Sequence, residues 1–165
     1  MTRGQIEHGL RTYREKSARL AVLQTRAAEI EREIIERRAM LDDPSGVTAT
    51  VLDGMPRAHT VGSIVERQVI RCDRDTDEIR ALQHELDRVQ TEAFCVGQRV
   101  AEVEAWLSAL DERERALVEA YYLDGLQWDM VCVRYQQRYQ AQISDRQAKR
   151  IRSAAIEKML RVSGW

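Results

Sequence analysis

The clearest pattern in the chain is an apolar run from Ile79 to Leu110. Ile79, Leu82, Leu86, Val89, Ala93, Val96, Val100, Val103, Leu107 and Leu110 follow one another at alternating steps of three and four. That is a two-seam heptad, the signature of a helix with an apolar stripe along one side. Gly97 lies inside the run but off the stripe, so it weakens the helix without breaking the pattern. An earlier run is less regular. Ile6, Tyr13, Leu20, Ala27, Ile34 and Leu41 recur every seven residues, and Leu10, Leu23 and Ile30 fill part of a second seam. Between the two runs, Asp42-Asp43-Pro44-Ser45-Gly46 and Asp53-Gly54-Met55-Pro56 are turn signals. The pattern predicts a long helix over 1–41, a linker over 42–63 and a second long helix over 64–110. At ~1.5 Å per residue the second is roughly 70 Å long. It is not stable alone with its stripe in water, so it must pack on the first helix, on another subunit, or on both. An antiparallel pairing fits the length of the linker. Val22, Ile35 and Ile70 fall off the main seams and suggest a homodimer.

Residues 111–165 have a finer grain. Asp111 with Glu114 three residues on reads as a capping box that opens a helix with Leu117, Ala120 and Tyr121 inward. Asp124-Gly125 ends it. A second helix is expected over about 127–140, with Trp128, Val131, Cys132 and Tyr135 apolar. Ser144 with Gln147 opens a third, whose apolar face is Ala148, Ile151, Ala155, Met159 and Leu160. The fold class expected is therefore all-α: a long antiparallel coiled-coil-like hairpin followed by a three-helix, helix-turn-helix module.

Composition sharpens this picture. Charged residues make up 32% of the chain and aromatics only 5%, which argues against one large globular core. The net charge is −1, but it is unevenly spread. Arg134 to Arg161 holds eight basic and two acidic residues, which points to an anionic partner near this stretch. Trp106 falls where the long helix meets the module and is placed to pack that joint. Cys72, Cys95 and Cys132 are widely spaced, without a CxxC, so neither a metal site nor a disulfide framework is expected. His8, His59 and His84 are isolated. No phosphate-binding loop, GxSxG or HExxH occurs, and the chain reads as a non-enzyme without a cofactor. No segment approaches the ~20 apolar residues of a membrane span, and the expectation is a soluble cytoplasmic protein.

The third helix of the module carries the candidate chemistry. Ser144 caps it, and Asp145, Arg146, Lys149, Arg150, Arg152 and Ser153 are its early polar residues. Arg and Lys can hydrogen-bond guanine and an acidic residue can accept from cytosine, so such a helix can read double-stranded DNA in the major groove. Arg146 and Lys149 are the expected base contacts. Arg150 and Arg152 are the expected phosphate contacts, with Arg134 and Arg138 reaching the flanking backbone.

The same residues carry a resemblance. Leu110-Asp111-Glu112-Arg113-Glu114-Arg115, continuing to Tyr122-Leu123-Asp124-Gly125-Leu126-Gln127-Trp128, resembles the opening of sigma factor region four. Ile143 to Leu160 is similar to the recognition helix of that region. One difference is that Arg134 to Gln142 lengthens the helix or the turn before the recognition helix. The chain as a whole resembles phage-encoded regulators of the RinA and ArpU type, in which a helical N-terminal part precedes a sigma-like module. Gly54-Met55-Pro56-Arg57 looks like an element of their linker. The resemblance implies binding near promoters, with RNA polymerase as a further partner, and no catalysis. Two other readings fit the same pattern: a small terminase-like packaging subunit and a structural coiled-coil interaction protein.

Overall fold

The computed structural model describes residues 1–42 and 64–164, with side chains at 42 and at 64–72 outside that description. The protein is all-α, and no strand occurs among the described residues. Helix α1 spans Arg3–Asp42 and α2 spans Ile64–Ser108. Helix α3 spans Glu112–Val118 and continues into a wider π-type turn over Glu119–Leu123. Helix α4 spans Trp128–Tyr139 and α5 spans Asp145–Ser163. The expected linker, with its Asp-Pro and Met-Pro signals, lies outside the described residues, as do the side chains of Ile70 and Cys72.

The chain divides into two compact units. One comprises 23–92. There Ile30, Ile34, Ile79 and Val89 are buried together, with Leu23, Ala27, Leu41, Leu82 and Leu86 packed around them. All nine are residues of the two apolar stripes, so the heptad positions do form the seam. Arg26 pairs with Glu85 at 3.0 Å and Arg37 with Glu78, so rising numbers on α1 meet falling numbers on α2. That is the antiparallel pairing the hairpin requires. These ion pairs are exposed and screened by solvent, so they add little. The stability of the unit therefore rests on the seam.

The other unit comprises 1–22 and 93–165. Its helical pairing is also antiparallel: Gly9 lies against Trp106 and Val103, and Gly97 against Leu20. The Tyr13 hydroxyl donates to Glu104 at 3.0 Å. Its core joins Ile6 and Leu10 of α1, Val103, Trp106 and Leu107 of α2, and Leu110 just beyond it. Val118, Tyr122, Ala155, Ile156 and Met159 of the C-terminal helices complete it. Trp106 sits at this joint, as its position in the sequence suggests, and is 5% exposed. A second, smaller cluster holds the three short helices to one another through Leu117, Ala120, Val131 and Ala148.

Local signals account for the ends of these short helices. Asp111 accepts from the Glu114 amide at 2.8 Å, and the Glu114 carboxylate accepts from the Asp111 amide at 3.2 Å. This is the capping box read from the sequence, and it has an added function in the fold. Lys158 of α5 donates to both Glu114 oxygens, at 2.6 and 2.7 Å, and so ties α5 to the start of α3. Gly125 closes the first helical segment at φ +67, a conformation that costs side-chain-bearing residues about 1 kcal/mol or more. Helix α4 ends on Gln140 at φ 52, so a non-glycine residue makes the left-handed cap there. The stretch Arg134 to Gln142 thus lengthens α4 as far as Tyr139, and the remainder forms the connection to α5.

Candidate nucleic-acid interface

Helix α5 is set by two faces. Ala148, Ala155, Ile156 and Met159 are fully buried, and together they dock the helix on its neighbours. At about 100° per residue, Arg146, Arg150 and Ser153 fall away from that side, and Lys149 stands at its edge, with its Nζ 5.7 Å from the centre of the Trp128 ring. These four residues line a shallow concavity with Asp145, Ala154 and Glu157. Ser144 caps the helix: its hydroxyl accepts from the Gln147 amide at 3.3 Å, and Gln147 accepts from the Ser144 amide at 2.9 Å. Arg146 and Arg150 are exposed and make no side-chain hydrogen bond or ion pair among the described residues. Lys149 reaches back to Asp145 at 2.7 Å, an exposed pair one turn apart. Such a pair is worth a few tenths of a kcal/mol, so Lys149 exchanges it readily for another anion.

Asp145 also limits what the start of the helix can do. Its carboxylate suits the positive end of the helix dipole. A phosphate placed at that end would meet a like charge, so the cationic flank is the better anion site. Arg134 and Arg138 on α4 are exposed but paired, Arg134 with Asp124 and Arg138 with Glu112 at 3.3 Å. Asp124 also accepts from Arg14 of α1 at 2.6 Å.

Arg152 is less exposed than Arg146, Lys149 and Arg150. At about 100° per residue it lies roughly 120° round the helix from Arg146. It is half-buried, with its guanidinium carbon 5.4 Å from the centre of the Tyr121 ring and 5.3 Å from that of Trp128. Those rings stack on each other at 4.3 Å. The cationic face therefore brings together Arg146, Lys149, Arg150 and Ser153, while Arg152 turns toward the interior of the module.

The π-type turn places two aromatic residues that the sequence pattern does not separate. The Asp124 amide bonds the Glu119 carbonyl at 2.9 Å, five residues back. The extra residue in that turn lets Tyr122 enter the core beside Trp106 while the neighbouring Tyr121 reaches Trp128. Burial pushes the Tyr122 phenol above its ordinary value of 10.0. Its neutral form is thus favoured in the folded state. The stability it supports is fully present below pH 10 and is lost as pH rises through the raised folded value. Thermal melts between pH 8 and 11.5 are expected to show Tyr122→Phe losing less stability above pH 10 than the parent. Equal losses in the two proteins would remove Tyr122 as the source.

Of the remaining polar candidates, His59 lies outside the described residues and Cys132 is structural. Cys132 packs at the edge of the smaller cluster, and burial pushes its thiol up, away from a reactive thiolate. Among the described residues no three His, Cys, Asp or Glu side chains gather as metal ligands, and no helix is long and apolar enough to cross a membrane. No family model, curated protein or solved structure matches the chain.

Proposed function

We propose that the protein is a DNA-binding protein of the helix-turn-helix class, with α5 as the helix that reads double-stranded DNA. Within that class it is a transcriptional regulator of phage or prophage origin, acting at promoters in the bacterial cytoplasm and carrying no catalytic activity. The observation that supports this most is the cationic face of α5. Arg146, Lys149 and Arg150 stand exposed at the start of a capped helix whose opposite side is fixed by Ala148, Ala155, Ile156 and Met159. A helix held in that way presents its charges without losing much conformational freedom on binding. Arg146 and Lys149 are assigned to base edges and Arg150 to phosphate. Arg134 and Arg138 reach flanking phosphates by leaving weak exposed carboxylate pairs. A homodimer belongs to the proposal, supported by the exposure of Val22 and Ile35, at 67% and 66%. RNA polymerase is a further proposed partner, supported by the likeness of 110–160 to sigma factor region four.

Site selection from random duplexes, followed by binding across a salt series, tests the reading. Arg146→Ala is expected to cost about 1–3 kcal/mol on the selected site and to relax preference at one base pair. Arg150→Ala is expected to weaken selected and random duplexes alike and to lower the salt slope by roughly one. A dimer adds two half-sites about one helical turn apart. If Arg146→Ala, Lys149→Ala and Arg150→Ala all bind as the parent does while remaining folded, α5 is not the reading helix.

A further inference from the structure

The position of Arg152 carries an inference that rests on the DNA-binding reading and goes beyond it. An arginine that serves phosphates holds its donors in water. Here the guanidinium lies against two rings, and its Nε is buried without a hydrogen-bond acceptor among the described residues. The guanidinium carbon lies over both rings, a cation–π contact for which planar, weakly hydrated arginine is better suited than lysine. The rings come from different elements: Tyr121 from the π-type turn and Trp128 from the first residue of α4. Arg152 comes from the second turn of α5. Three elements of the module thus meet at one contact.

Helix α1 approaches the same place. Glu7 is half-buried and accepts from Arg3 at 3.0 Å. Burial pushes the Glu7 carboxyl up, but the hydrogen bond from Arg3 and the charges of Arg3 and Arg152 bring it below its ordinary value. The presentation of Arg146 and Lys149 depends on how α5 lies against α4, because in this class of protein the recognition helix enters the groove while the helix before it crosses the backbone.

We propose that Arg152 is a positioning residue for DNA reading: it lies across Tyr121 and Trp128, fixes α5 against the start of α4, and takes no phosphate itself. Arg152→Lys keeps the charge but replaces the planar guanidinium with a compact, strongly hydrated ammonium. Arg152→Met keeps an unbranched side chain that packs well on aromatic rings and loses the charge. The test compares both full-length variants with the parent on the selected and random duplexes across a salt series, with thermal melts to establish folding. Arg152→Lys is expected to lose about tenfold in selected-site affinity, the scale of one well-made base contact, with the random-duplex affinity and the salt slope unchanged. Arg152→Met is expected to stay closer to the parent, also with the parent's slope.

Three results overturn the proposal. If Lys binds as the parent does while Met loses about one unit of slope, Arg152 is a phosphate contact. If both folded variants bind the selected site as the parent does, the contact has no bearing on reading. If both variants lose the two duplexes in equal measure along with thermal stability, the residue serves folding alone. Failure of the underlying DNA reading is separately visible, because the parent itself then shows no salt-dependent binding, and the positioning role falls with it.

Discussion

Trp106→Ala is expected to lower the stability of the unit formed by 1–22 and 93–165 by about 3–5 kcal/mol, the range for removing a large aromatic side chain from a core. Trp106 is 5% exposed and shares a cluster with residues from α1, α3 and α5 and with Tyr122. Its removal opens a cavity where several elements converge, and no single neighbour is large enough to fill it. The partner on α1 shows how closely the ring is held. A Cβ added at Gly9 would lie 2.9 Å from one ring carbon of Trp106 and 3.3 Å from another. Glycine is thus required there for the close approach of the helices, even though it costs a helix interior about 1 kcal/mol relative to alanine. The two positions should therefore be coupled. Gly9→Ala is expected to destabilise the parent and to stabilise the Trp106→Ala protein, because the clash is gone and only the gain in helix propensity remains. Urea denaturation of the four proteins of this cycle checks both statements. Additive effects would mean that Gly9 and Trp106 do not share space in solution.

Ile156→Asp is expected to be at least as damaging, at about 4 kcal/mol or more, since it combines loss of an aliphatic side chain with burial of an uncompensated charge. Ile156 is fully buried between Ala155 and Met159 and the residues of α1 and α2 that receive them. Small domains are stable by only about 5–15 kcal/mol, so this loss takes a large share of the total. Ala154 is the neighbouring control. It is exposed on the cationic side of the same helix. Ala154→Asp is expected to change stability by about 0.5 kcal/mol or less, while adding a negative charge to the proposed DNA face. The two substitutions should thus separate the faces of α5: one unfolds the unit, and the other leaves it folded with weakened DNA binding. Circular dichroism melts on both proteins, with duplex binding on Ala154→Asp, are the measurements. Similar melting temperatures for the two would show that α5 is not docked by its Ile156 side.

The all-α class, the long helices and the caps of the short ones were legible in the sequence because each depends on local or periodic information. Alternating steps of three and four define a helical stripe wherever its partner comes from. The capping boxes at Asp111 and Ser144 are closed by residues three positions away. The turn at Gly125 follows from its own backbone freedom. The exposed cations Arg146, Lys149 and Arg150 follow in the same way from their angular positions on α5. Other features depended on residues distant in sequence and were decided by the tertiary structure alone. Val118 was not singled out as core, and that Tyr122 rather than Tyr121 enters the core follows from the π-type turn, which shifts the phase of the helical pattern by one residue. Ile156 lies off the simplest apolar stripe of α5, and only docking against Ile6, Leu10 and Val103 makes it core. Arg152 has the same formal charge as Arg150, but at about 100° per residue it lies within roughly 40° of Ala148, Ile156 and Met159, on the docked side of α5. Which groups it meets there, Tyr121 and Trp128, depends on the packing of α4, α5 and the turn, a property that no local pattern in the chain encodes.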